Sequence, residues 1–159
     1  MSHPRGSGDA KHVLAHLVTV ATSEHAQPLS VVQDRKLRLT SWGEIVAECW
    51  FACANRCAVA CDALLVAPWE LRGVVLWDDR VGRARSRVSG LVAIVQQFKV
   101  RSTRRIQRRE DAAVVVWRPG YTLVPVEDLL DLALTREELL RPRVEPWWPV
   151  WPSSGRANT

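Results

Sequence analysis

The sequence predicts an α+β domain in which helices gather on one face of a mainly antiparallel sheet. Short runs rich in β-branched residues are separated by turn residues, and longer segments repeat apolar residues at helical spacing. Their order is strand, hairpin, helix, strand, strand, helix, strand, helix, which favours a layered α+β sandwich. At 159 residues and 47% hydrophobic content the chain has room for one domain with a real core.

The polar stretch 1–12 reads as a disordered tail, and 13–141 as the folded domain. "VLAHLVTVAT" (Val13 to Thr22) has the composition of a strand, with His16 and Thr19 as polar interruptions. "SVVQDRKLRLT" (Ser30 to Thr40) reads as a hairpin turning at Gln33 to Lys36. In "TSWGEIVAECW", Thr40 or Ser41 can cap a helix. Glu44 completes a capping-box pattern, and Trp42, Ile45, Val46, Cys49 and Trp50 form one face, with the end near Asn55 and Arg56.

"DALLVAP" and "GVVLWDD" are two apolar strands joined at Pro68 to Gly73. "DRVGRARSRVSG" reads as a basic, glycine-containing loop, and "LVAIVQQFKVRSTRRIQRRE" as a second amphipathic helix with Leu91, Ile94, Val95, Phe98, Ser102 and Ile106 inward. "AAVVVW" is a further strand ending at the turn "RPGY". "VEDLLDLALTREELL" is a third helix, acidic at its start as the helix dipole favours. Residues 142–159, rich in proline and tryptophan, read as an irregular tail.

The cysteines invite a metal hypothesis. Cys49, Cys53, Cys57 and Cys61 recur every four residues. On one continuous helix, however, the outer sulfurs would lie roughly 18 Å apart, far too distant to share a tetrahedral zinc. Small buried apolar side chains are the better reading, and a metal or thiol protein is the weakest functional class.

Charge is more informative. Residues 80–109 carry ten basic side chains and no acid, while the rest of the chain carries 12 basic against 17 acidic residues. A basic segment in an otherwise acidic chain points to a polyanion, with a solvated helix face as the bland alternative. The basic side chains are Lys99, Arg101, Arg104, Arg105, Arg108 and Arg109 on the helix, and Arg83, Arg85 and Arg87 in the loop as a mobile second contact. Trp147, Trp148 and Trp151 could stack unpaired bases. No apolar run approaches the roughly 20 residues of a membrane span, and nothing resembles a secretory leader. The protein reads as cytoplasmic, with no membrane partner.

Five stretches, in order, resemble one family: "HLVTVAT", "LRLTSWGEIVAECW", "DALLVAPWELRGVVLW", "LVAIVQQFKVRSTRRI" and "VWRPGY". The sequence resembles the REP-associated tyrosine transposases of the HUH single-strand DNA transposase group over about residues 15 to 121. The resemblance implies a ferredoxin-like antiparallel sheet backed by helices, single-stranded hairpin DNA as partner, and dimerisation as a family property. It also implies a Pro-Asn-His-x-His-Gly strand whose histidines bind a divalent metal. Here Pro68 and Gly73 are kept, while Trp69, Glu70 and Arg72 stand in place of the Asn and both histidines.

Glu70 could hold magnesium or manganese through oxygen, whereas Arg72 has no acceptor atom. Arg72 could instead pair with Glu70 or grip a phosphate. The family nucleophile is a tyrosine on the helix after the "VWRPGY"-like strand, but 127–141 contains none. Tyr121, the only tyrosine in the chain, matches an aromatic of the preceding motif; it is the candidate catalytic tyrosine, with an aromatic packed at a strand end as the other reading. The expected function is a transposase-like DNA-binding protein that has lost catalysis and needs no cofactor. The alternatives are an active transposase or endonuclease with an altered magnesium or manganese site, and a non-functional insertion-element remnant.

Overall fold

The computed structural model describes residues 13–34, 36–57, 59–77, 84–140 and 150–152. In chain order the elements are β1 (Ala15–Ala21), β2 (Ser30–Gln33), β3 (Lys36–Leu39), α1 (Ser41–Arg56), β4 (Ala60–Val66), β5 (Glu70–Leu76), α2 (Ala84–Glu110), β6 (Thr122–Val126), α3 (Leu129–Leu140) and β7 (Val150–Pro152). Five strands form one sheet in the order β6-β1-β5-β4-β7, every pair antiparallel, and β2 and β3 form a separate hairpin. Setting the hairpin, α3 and β7 aside, the β-α-β-β-α-β succession with β1 between β5 and β6 is the ferredoxin-like arrangement.

Alternation along the strands divides the core in two. Val18, Val20, Leu64, Val66, Leu71 and Val75 face α1 and α2, where they pack on Trp42, Trp50, Leu91, Ile94 and Phe98. Ala15, Ala63, Leu65, Val74 and Val126 point the other way, onto Leu132 and Leu139 of α3. The helices are therefore not all on one face. The central strands are apolar at both parities, so each side of the sheet needs a cover.

The start of α1 agrees with its sequence signal. The Thr40 hydroxyl accepts from the Gly43 N–H at 3.2 Å, but the Thr40 N–H donates to Leu29 O rather than to Glu44. Gly43 is required by crowding, since a Cβ there would lie 1.9 Å from Leu29 O. Gly73 is similarly confined, because its Cβ would stand 2.8 Å from the Trp50 ring. Trp50 and Phe98 meet edge to face at 5.3 Å and join α1 to α2.

Several sequence expectations need correction. The β4–β5 connection is a tight turn closed by Ala67 N–H donating to Glu70 O at 2.9 Å, so Glu70 and Arg72 lie inside a strand rather than in a linker. Helix α2 begins at Ala84, which puts Arg85 and Arg87 in its first turns and not in a loop. Arg83, like the tail 1–12, lies outside the described residues, as do the side chains of Arg85 and Arg87.

The stretch 112–117 is not a strand: only Trp117 bridges to Thr22. Pro119 and Gly120, the latter at φ 78°, then interrupt the ladder before it resumes at Thr122. Pro125 is tolerated because β6 is an edge strand. Helix α3 starts at Leu129, with Asp128 Oδ1 accepting from the Asp131 N–H at 2.7 Å. In the tail, residues 150–152 pair with β4 as a short added strand, Trp151 opposite Leu64. Trp147, Trp148 and the Trp151 side chain lie outside the description.

Candidate nucleic-acid interface

Glu70 and Arg72 are two apart on β5 and share the sheet face opposite α1 and α2, the face on which Val74 packs under α3. In register, Arg72 lies between Thr19 of β1 and Leu65 of β4. Arg72 Nε stands 2.8 Å from Glu70 Oε1, with both side chains about a quarter exposed. The contact is an ion pair rather than a well-aimed hydrogen bond, because the Nε–H has no acceptor in proper geometry.

This donor set does not fit a divalent metal. It offers one carboxylate already facing a guanidinium, which has no lone pair to give. Among the described residues no three His, Cys, Asp or Glu side chains converge.

Tyr121 stands on the other side of the sheet. It packs, with Leu123, against the core beneath α1 and α2, and Lys99 Nζ lies 6.0 Å from its ring centroid. The strand pleat thus separates it from Glu70 and Arg72. No residue of α3 is a tyrosine; its inward side carries Leu132 and Leu139. That helix is anchored by Arg136, whose guanidinium pairs with the buried carboxylate of Asp62 on β4.

The basic side chains of α2 do not form one uniform face. Lys99 donates from Nζ to Arg118 O at 2.7 Å and Gly120 O at 2.5 Å, tying down the turn before β6, and partial burial lowers its pKa. Arg105 reaches α1, with Nη2 at 2.7 Å from Glu48 Oε2, and that hydrogen bond raises the guanidinium pKa further. Arg101 is half-buried beside the same helix. Arg104, Arg108 and Arg109 are exposed and meet no carboxylate within ion-pair distance among the described residues.

Arg104 lines an open groove between α2 and the segment Val114–Pro119, and Arg108 lines its continuation. Arg118, on the opposite wall, was missed by the sequence reading because "RPGY" looked like a simple turn. Its signal would have been a cation flanking a stretch that binds the end of β1: Ser23 N–H donates to Val116 O, and Arg118 N–H to Ala21 O.

The cysteines do not share one helix. Cys49, Cys53 and Cys57 lie on or at the end of α1, and Cys61 on β4; all four are free thiols. Cys61 accepts from the Trp50 indole at 3.3 Å, and burial pushes its pKa up to about 11. Cys49 and Cys53 are also shifted up by burial, so these are packed, unreactive thiols.

Several solved structures resemble this arrangement. One is a crystal structure of a protein assigned as a transposase from Deinococcus radiodurans R1, with a TM-score of 0.51, 15% identity, and coverage of 87% of this chain and 95% of that one. The chain has a transposase-like fold. A REP-associated tyrosine transposase bound to a REP hairpin also matches, at TM-score 0.49 and 14% identity, over 85% of this chain and 68% of the other. No protein-family model matches the sequence, and no curated protein does. Among the described residues no helix is long and apolar enough to cross a membrane.

Proposed function

We propose that this chain is a cytoplasmic DNA-binding protein of transposase ancestry that holds single-stranded or hairpin DNA without cutting it. The observation that carries the reading is the Glu70–Arg72 ion pair on β5, at the two positions where the sequence resemblance expects metal-binding histidines. Cleavage of a phosphodiester needs both an activated nucleophile and stabilisation of developing charge. A carboxylate neutralised by a fixed cation gives poor support for the second, and α3 offers no tyrosine for the first.

Binding has better support. Arg104, Arg108 and Arg109 extend into solvent without carboxylate partners among the described residues, as phosphate-neutralising side chains do.

The test is a gel-shift titration of a labelled hairpin against a matched duplex over a salt series with manganese present, the products then separated under denaturing conditions. Salt-sensitive binding that favours the hairpin and leaves it intact is the expected result. A nicked product or a covalent adduct would refute the loss of catalysis, and the absence of binding at low salt would refute the DNA reading.

A further inference from the structure

The groove between α2 and Val114–Pro119 joins two kinds of surface. Val100 and Val115 expose apolar side chains, 48% and 63% accessible, and Pro119 adds to the lining. Arg104 and Arg118 line it from opposite walls, and Arg108 continues the line beyond Arg104. We infer that this groove is the path of an unpaired nucleotide strand, its bases against the valine-lined floor and its phosphates on Arg104, Arg108 and Arg118. The inference rests on the DNA-binding reading above and assigns that reading a surface.

Duplex DNA keeps its base faces stacked inside and offers a protein backbone mainly phosphate, so an apolar floor would gain nothing from it. An unpaired strand exposes flat apolar base faces beside regularly placed charge. Successive cations in the row Arg104–Arg108 are about 6 Å apart along the helix axis, which suits a polymer charged on every unit. An extended acidic peptide could match the spacing of such cations, but its carboxylate side chains bring no flat apolar face to the valine-lined floor. Asp111 lines the far end of the groove, beside Arg108, and repels phosphate there, so the strand runs toward Arg118. Lys99 is a positioning residue. Its ammonium is engaged by the carbonyls of Arg118 and Gly120, which holds the Arg118 wall in place.

The test uses the full chain and fluorescence anisotropy with two probes, a blunt hairpin and the same hairpin bearing an unpaired 3′ extension. The native protein should prefer the extended probe. Arg104→Ala combined with Arg118→Ala should weaken binding to it by about tenfold and lower the salt slope by about 1.4, from roughly 0.7 per lost phosphate contact. Arg38→Ala, at an exposed cation of β3 outside the groove lining, should lose less than about threefold.

Val115→Asp, at a solvent-exposed position, should abolish the preference for the extension while thermal unfolding stays unchanged. Equal binding of both probes by the native protein overturns the inference and spares the DNA reading, as do equal losses in the groove and Arg38 variants. Displacement of the extended probe by an acidic peptide at lower concentration than by unlabelled strand also overturns it. Failure of the native protein to bind either probe overturns both.

Discussion

Replacing Gly43 by alanine should destabilise the fold even though alanine is the better helix former. An added Cβ would lie 1.9 Å from Leu29 O, and Cβ atoms essentially never approach closer than 3.0 Å, so the carbonyl would have to retreat by at least 1.1 Å. It cannot do so freely. Leu29 O accepts from the Thr40 N–H at 3.0 Å, while Leu29 N–H donates to Pro68 O at 2.8 Å. Losing one of these bonds costs about 1 kcal/mol, and overpacking adds about 1–3 kcal/mol. The gain in helix propensity offsets at most about 1 kcal/mol, leaving a net loss of about 1–3 kcal/mol.

Gly90 provides the opposite sign. It lies within α2, and a Cβ there meets nothing within 4 Å, so Gly90→Ala should stabilise by about 0.5–1 kcal/mol. Urea unfolding followed by far-ultraviolet circular dichroism measures both. A Gly43→Ala variant as stable as the native protein, or a Gly90→Ala variant equally destabilised, would show that close approach at Gly43 is not the cause.

Three further outcomes follow from the same contacts. Arg136→Ala should cost more than Asp62→Ala in urea unfolding, about 2–4 against 1–2 kcal/mol. The first strands a carboxylate only 2% exposed, whereas the second leaves a guanidinium 44% exposed that can turn to water. Between pH 9 and 11 stability should fall, because unfolded Cys61 ionises near 9 while the folded thiol stays protonated to about 11. That contribution, about 2–3 kcal/mol, is complete below pH 9 and gone above 11, and Cys61→Ala should show a shallower decline over the same window. Ser102→Ala should cost about 1–3 kcal/mol in thermal unfolding, since its hydroxyl accepts from the buried Trp117 indole at 2.9 Å and the variant leaves that N–H without an acceptor.

What the sequence revealed was local. The α1 cap at Thr40, the apolar stripe of α2 and the shared side of Glu70 and Arg72 depend on spacings of two to four residues, which composition and periodicity report directly. Partners far apart in sequence did not show. Lys99 and Arg105 looked like solvent-facing cations because their acceptors, Arg118 O and Glu48, lie 19 and 57 residues away. The basic composition of 84–90 concealed the first turns of α2, and Pro125 disguised β6, whose edge position alone makes proline acceptable.

The position of β1 has a kinetic consequence. That strand is made before either of its neighbours, which come from later segments, Glu70–Leu76 and Thr122–Val126. During translation one edge of Ala15–Ala21 must wait about 50 residues for Glu70–Leu76, and the other about 100 for Thr122–Val126. Closing such loops before any pairing is gained slows folding and leaves a bare β-strand available to other nascent chains. Refolding should accordingly be slow and sensitive to protein concentration, and the newly made chain a natural client for a holding chaperone.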